Sequence, residues 1–237
     1  MLRALVNTAY AIQQTLAISI PTVADAYLGR LTRERCDERL ALWSGSILAQ
    51  AGVEIEVHGR EHVPSRPVVF MSNHASHLDV PVLYQACPGS LRMVAKAELF
   101  RIPIWGRAMR DAGFVAVDRS GDRAQAKAAM AEAARIIDSG VSVWIAPEGT
   151  RSRDGSIGKL KRGGFRLAIE TGTPIVPMFI AGAGSILPPG SRLLARGGKV
   201  RVQFGELIEV DGRDESTLID SVEQFLKSYV GVSGRLG

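Results

Sequence analysis

At 237 residues, with 46% hydrophobic and 22% charged side chains and a mean hydropathy of +0.09, the chain is an ordered protein able to bury one substantial core. Lys+Arg number 29 against Asp+Glu 24, and the net charge of +5 suits an anionic membrane surface or a phosphorylated substrate. No basic block is interleaved with aromatics, which make up 6% of the chain, so nucleic acid is not an expected partner.

The N-terminus, MLRALVNTAYAIQQTLAISIPTVADAYLG, opens like a signal peptide, with Arg3 before an apolar stretch. Asn7, Gln13 and Gln14 interrupt that stretch and leave no clean run of about 18 residues for a conventional span. Arg3, Asn7, Gln14, Pro21 and Asp25 recur near the helical repeat. They are expected to form a narrow wet stripe on a greasy helix that Pro21 ends or kinks. The pattern of Leu40, Leu42, Trp43, Ile47 and Leu48 predicts a second helix over 32–50, with Thr32 as its cap. The pair reads either as a hairpin packed on the domain or as one lying in a single leaflet. In the second reading Arg30, Arg33, Arg35 and Arg39 sit near headgroups. Residues 1–51 are accordingly taken as a membrane-associating hairpin and 52–237 as an α/β domain. Cys36 and Cys87 have no metal-like or CxxC spacing and are expected to be ordinary thiols.

Beyond the hairpin, strands and helices alternate. Val53, Ile55 and Val57 alternate with polar residues, and Pro67 introduces the apolar run 68–71. A helix starting near Asp79 stops at Pro88-Gly89, and short strands end at Lys96 and lead out of Gly113. Alanine and charge predict a helix over 122–137, followed by a strand over 141–146. The polar segment 151–164 is a loop before a short helix over 165–170. Strands over 174–180 and 200–204 and an amphipathic helix over 215–230 complete the set. The fold class is α/β, a mostly parallel or mixed sheet flanked by helices behind an N-terminal amphipathic helical hairpin.

Two segments carry chemistry. Asn73-His74-Ala75-Ser76-His77-Leu78-Asp79 follows the central apolar run, where an open sheet presents reactive groups. His74 is a candidate general base with Asp79 as its orienter. The competing reading is a plain helix N-terminus, capped by Asn73 or Ser76, with solvated histidines. His77 is solvent-facing or supportive. No HExxH or convincing carboxylate set suggests a metal, and no G-x-S-x-G elbow supplies a nucleophile, since Ser142 falls inside a strand. A base without such a nucleophile favours direct transfer to an acceptor. The second segment, Pro147-Glu148-Gly149-Thr150-Arg151-Ser152, is a tight turn ahead of an arginine suited to phosphate. There Gly149 allows close backbone approach and could expose an amide, while Glu148 either orients Arg151 or holds the loop. Lys96, Arg119 and Lys161 are further cations at strand exits or near a helix start, and an open parallel sheet would gather those exits on one rim.

These residues resemble the 1-acylglycerol-3-phosphate acyltransferases of phospholipid synthesis over roughly 68–179. The family's N-H-x-S-x-x-D motif matches Asn73, His74, Ser76 and Asp79. Its apolar strand ending in arginine matches 113–119, its F-P-E-G-T-R-S motif matches 147–152 with Ala146 in place of the aromatic, and its proline-bearing strand matches 175–178 with Pro177. Lys161-Arg162-Gly163-Gly164-Phe165 is similar to the family's basic-glycine element, with Leu160 where an aromatic is common. The resemblance implies that His74, backed by Asp79, deprotonates the sn-2 hydroxyl of lysophosphatidic acid for attack on the thioester of acyl-CoA or an acyl-carrier protein. It implies that Arg151, with Lys96 and Arg119, binds the acceptor phosphate, and that a backbone amide near Gly149 holds the oxyanion. Glu148, Thr150 and Lys161 join the substrate-binding set, and Asn73, Ser76 and Pro177 support it. No metal or bound cofactor is implied. The phospholipid membrane is a partner, with the protein peripheral or monotopic at the cytoplasmic face of the cell membrane. The alternatives are another lysolipid acceptor such as lyso-ornithine lipid, a non-catalytic anionic-lipid-binding protein, or a thioesterase.

Overall fold

The computed structural model describes residues 1–118, 123–152, 154–195 and 197–231. It opens with two long helices, α1 (Leu2–Tyr27) and α2 (Arg33–Ala51). Pro21 lies inside α1, so of the two expected effects it does not end the helix. Proline removes one ladder bond, but the helix continues to Tyr27, and left-handed Gly29 lies just beyond it. α2 starts as expected, with the Thr32 hydroxyl accepting from the Arg35 amide, and ends on left-handed Gly52.

Most of the stripe expected to be wet on α1 turns toward the protein: Asn7 is buried and Gln14, Pro21 and Asp25 are half-buried, while Arg3 stays exposed. Asn7, Ser19 and Thr22 are buried, while Leu5, Ile12, Leu16 and Ile20 on another face are exposed. The inversion follows from the partners available. Asn7 donates to the Ala195 carbonyl, Thr15 accepts from the Trp43 indole, and Asp25 binds Arg39 at 2.5 Å. Polar groups that find protein partners lose nothing by burial. The arginines follow the same logic: Arg35 and Arg39 converge on Asp25, and Arg33 donates to the Ser139 carbonyl. Arg39 thereby holds the Asp25 carboxyl below the usual carboxylate range. Three of the four arginines expected at headgroups are tied up within the hairpin or to the domain.

The rest is a seven-stranded sheet. The elements run β1 (Val53–His58), β2 (Val69–Ser72), α3 (Asp79–Ala86), β3 (Leu91–Lys96), α4 (Trp105–Asp111), β4 (Val115–Val117), α5 (Arg123–Asp138), β5 (Ser142–Ile145), α6 (Gly163–Thr171), β6 (Ile175–Ala181), α7 (Ala183–Ile186), β7 (Gly198–Phe204) and α8 (Glu215–Tyr229). The spatial order is β1-β7-β6-β2-β5-β3-β4. β6, β2, β5, β3 and β4 are parallel; β7 is antiparallel to β6 and carries β1 parallel to itself. One rim of the sheet therefore collects the C-terminal ends of the five central strands and the N-terminal ends of β7 and β1.

Side chains alternate across β2. Phe70 enters a cluster with Leu83 of α3 and Ile47 and Leu48 of α2, while Val69 and Met71 pack with Phe165 of α6 and Leu226 of α8. The hairpin and the sheet thus share one core. A buried cation fastens them: Arg92 on β3 binds Asp37 of α2 at 2.5 Å and the Ala112 carbonyl, and Ser90 also donates to Asp37. Cys36 and Cys87 are free and buried, and burial pushes both thiols up, so they behave as apolar filler.

Asn73 stitches the end of β2 to β6. Its amide donates to the Ile180 carbonyl at 2.9 Å, and its oxygen accepts from the Ile180 amide at 2.8 Å. Asn73→Ala leaves both buried backbone groups unpaired. It is expected to lower unfolding free energy by about 1–3 kcal/mol, read as a reduced denaturant midpoint at unchanged m-value.

Candidate active site

His74 leaves β2 on the collecting rim, and Asp79 is the first residue of α3. Oδ2 of Asp79 accepts three hydrogen bonds, from His74 Nδ1 at 2.7 Å and from the Ala75 and Ser76 amides at 2.9 Å each. The intervening residues turn tightly enough for this because Ser76 also works at the turn: its hydroxyl accepts from the Leu78 amide and donates to the Leu187 carbonyl. The five-residue spacing therefore yields a buried orienting carboxylate, 1% exposed, behind a histidine that remains 16% exposed. With Nδ1 engaged, Nε2 is the nitrogen left for proton transfer. The edge of Trp144 packs on the His74 ring at 5.4 Å, and the Trp144 indole is itself held by Ser72. Sequence reasoning missed Trp144; its only signal was an aromatic side chain at the end of β5, just ahead of the Pro147 turn.

The second segment docks directly on the first, the Ser152 amide donating to the His74 carbonyl at 2.8 Å. Gly149 has φ +68°, and its amide donates to the Ala146 carbonyl at 3.0 Å. That amide is committed to the turn and is not free to hold an oxyanion. Gly149 instead provides conformation and room: a Cβ there would lie 2.7 Å from Lys161 Nζ. Thr150, Arg151 and Lys161 line the same cavity as His74, and Arg151 is close enough to His77 for its charge to matter. Desolvation and then the Arg151 charge push the His77 imidazole below its ordinary value. Lys96, at the end of β3, also lines the cavity and pairs with Glu98 at 2.8 Å. Arg119 lies outside the described residues.

Of the expected site residues, Asp79, Asn73, Ser76, Glu148 and Pro177 do not line the cavity. Glu148 is 6% exposed and turns inward, Oε2 accepting from the Gly158 amide at 2.8 Å, so it holds the loop and orients no arginine. Pro177 is buried within β6, its carbonyl accepting from the Gly205 amide. Ser142 is buried too, its hydroxyl accepting from the Val68 amide inside the sheet, which fits the expectation that it is no nucleophile. Among the described residues no group of three or more His, Cys, Asp or Glu is placed to hold a metal ion.

Burial raises the Glu148 carboxyl against the pull of the Gly158 and His74 amides and the His74 ring. A carboxyl raised on folding stabilises the fold below its unfolded value and loses that contribution as pH rises through the folded one. Glu148→Gln keeps an acceptor for Gly158 without the buried charge. Its melting temperature is expected to equal or exceed that of the parent at neutral pH, with the difference closing as the pH falls into the carboxyl range. Thermal scans across pH check this; a variant that is less stable at neutral pH contradicts it.

The cavity has a volume of about 1070 Å³, at the upper end of ordinary ligand sites. From His74 and Trp144 it runs between sheet and hairpin, past Thr15, Trp43 and Tyr84, to Phe114 and Met109. Its lining combines the cations Lys96, Arg151, Lys161 and Arg192 with many apolar side chains. That combination suits an amphiphile with an anionic head.

Comparison with known proteins identifies the class. Residues 54–181 match the acyltransferase family. The chain belongs to that family, in the branch of the 1-acylglycerol-3-phosphate acyltransferases. It is 37% identical over 163 residues to a chloroplastic 1-acyl-sn-glycerol-3-phosphate acyltransferase of Brassica napus, an alignment covering 68% of this chain and 46% of that one. It is 40% identical over 134 residues to the human 1-acyl-sn-glycerol-3-phosphate acyltransferase alpha, covering 55% and 46%. The chain thus spans about half the length of the curated relatives it matches. Among solved structures, the 1-acyl-sn-glycerophosphate (LPA) acyltransferase PlsC of Thermotoga maritima superposes with a TM-score of 0.82 at 25% identity, over 99% of this chain and 97% of that one. The α/β fold behind an N-terminal helical hairpin is therefore shared along the whole length.

Proposed function

We propose that this protein transfers a fatty acyl group from acyl-CoA or an acyl-carrier protein to the sn-2 hydroxyl of 1-acyl-sn-glycerol 3-phosphate, giving phosphatidic acid. The observation that carries the reading is the 2.7 Å His74–Asp79 pair bordering a cavity that Arg151 and Lys161 also line. The activities for which the relatives are named agree with it.

In this reading Asp79 fixes the His74 tautomer with the proton on Nδ1. Nε2 takes the proton of the acceptor hydroxyl as its oxygen attacks the thioester carbonyl. Collapse of the tetrahedral intermediate breaks the carbon–sulfur bond. The thiolate leaves with the electron pair and recovers the proton from His74, which returns to its starting state. Arg151, with Lys161 and Lys96, holds the acceptor phosphate, and the apolar part of the cavity takes an acyl chain. No residue forms a covalent intermediate.

The membrane belongs to the proposal as well. No helix among the described residues is long and apolar enough to cross a bilayer. The outward stripe of Leu5, Ile12, Leu16 and Ile20 suits a helix lying in one leaflet, with the protein peripheral or monotopic at the cytoplasmic face.

The test is an acceptor matrix on purified, detergent-solubilised protein. Lysophosphatidic acid, monoacylglycerol and lyso-ornithine lipid are each offered with acyl-CoA and with acyl-carrier protein, and the products are identified by mass. Phosphatidic acid is the expected main product. Equal use of monoacylglycerol would remove the phosphate from the reading, and preference for lyso-ornithine lipid would replace the acceptor.

A further inference from the structure

The segment between the 3₁₀ turn Ala97–Arg101 and α4 has a shape that folding alone does not explain. Ile104 has φ 65° and ψ −62°, and among the described residues it is the only non-glycine with positive φ. The Trp105 amide donates to the Pro103 carbonyl at 2.7 Å across it. This is the rare, strained form of the γ-turn, centred on a β-branched residue for which positive φ is a genuine outlier. Neighbouring contacts hold the turn. The Gly106 amide donates to the Ile102 carbonyl and the Ala108 amide to the Ile104 carbonyl, and Gly106 lies so close to the Phe100 backbone that a Cβ there would sit 2.4 Å from its carbonyl oxygen.

The strain secures no buried contact for Ile104, which is 44% exposed; Ile102 is 42% exposed. Ile102, Pro103 and Trp105 line the cavity, whereas Ile104 does not. The same cavity is bordered from the hairpin side by Ile12 and Leu16, two members of the exposed stripe of α1. Apolar side chains from two segments far apart in sequence therefore border one cavity, and exposed Arg101 immediately precedes Ile102.

We infer that the Ile102–Ile104 turn is a second lipid-contacting element, a wedge that enters the leaflet beside α1 and seats the cavity mouth in the bilayer. The inference rests on the membrane partner proposed above and extends it to a segment outside the hairpin. The occupant is a lipid surface because the patch continues the outward face of α1 around an opening suited to an amphiphile. An isoleucine held in strain and left partly in water is explained once that side chain has an apolar phase to enter.

The test uses the full chain and mixed phosphatidylcholine–phosphatidylglycerol vesicles. Asparagine accepts positive φ far better than isoleucine, so Ile104→Asn is expected to fold with an unchanged or higher melting temperature. Its partitioning into vesicles is expected to fall roughly fivefold, the loss appropriate to a part-exposed isoleucine that no longer leaves water. Ile104→Leu, apolar but not β-branched, is expected to bind vesicles within about twofold of the parent. Acylation of a short-chain lysophosphatidic acid dispersed as monomers is expected to be unchanged in both variants. Parental vesicle binding by Ile104→Asn, or an equal loss in Ile104→Leu, would overturn the inference. So would a lipid-free dimer of the parent that Ile104→Asn dissociates, since a second copy would then be the occupant. Failure of the acyltransferase reading would show instead as no acylation of the short-chain acceptor by the parent protein, with vesicle binding unaffected.

Discussion

Replacing His74 by alanine is expected to slow acyl transfer by about 10²–10⁴-fold, the usual value of a positioned proton transfer. The fold is expected to survive, because Asp79 keeps its bonds to the Ala75 and Ser76 amides and those bonds shape the turn. Lipid binding is expected to survive as well, since the cationic rim is untouched. Asp79→Asn removes the carboxylate that selects the His74 tautomer and is expected to reduce turnover too. It also leaves two backbone donors facing an amide, so its unfolding midpoint has to be measured beside its rate. Turnover numbers with circular dichroism check both variants. Full activity in His74→Ala would end the proposed mechanism.

The second large effect is expected at Arg151, where net charge and geometry can be separated. A charge-assisted arginine–phosphate contact is worth roughly 1.5–3 kcal/mol, and lysine cannot reproduce its paired donors. Arg151→Lys is therefore expected to lose about 10–150-fold in kcat/KM for lysophosphatidic acid despite an unchanged net charge. A rise in KM alone would mean uniform binding of substrate and transition state; an equal fall in kcat would mean a contact that tightens in the transition state. Slow hydrolysis of the acyl donor is expected to suffer much less, because water carries no phosphate. Equal damage to both reactions would move the phosphate site towards Lys96 or Lys161.

Most of the elements were legible in the sequence because apolar runs and helix signals mark them directly. The cap at Thr32 and the helix starting at Asp79 are examples. What a linear pattern does not carry is direction and partner. The polar stripe of α1 was visible, but periodicity does not tell whether such a stripe meets water or the Ala195 carbonyl, the Trp43 indole and Arg39. Pro21 signalled a break that the rest of the helix overrode. The alternation in β1 and the apolar run of β7 gave strands without revealing that both run against the other five.

The site divides in the same way. Local spacing held the His74–Asp79 pair, since five residues on one turn bring the two together. Gly149 read as a point of close backbone approach, but glycine does not announce where its amide will point, and that amide closes the turn onto Ala146. Glu148 read equally well as an orienter of Arg151 or as a loop anchor, and only burial separates the two. The cavity was beyond reach of any local signal, because its walls come from both hairpin helices, α3, α4, α5, α6 and several strands or their exits. The strained turn at Ile104 has no glycine to mark it.

Direct, His74-driven transfer to a phosphorylated lysolipid is tested most plainly by a single turnover. Enzyme in excess over labelled acyl donor is mixed with lysophosphatidic acid and quenched at intervals, and both lipid and intact protein are weighed by mass spectrometry. The expected result is phosphatidic acid forming in step with loss of donor, protein mass unchanged at every interval, and almost no product in His74→Ala. An acylated protein that forms and decays before phosphatidic acid appears, or free fatty acid in its place, would contradict it.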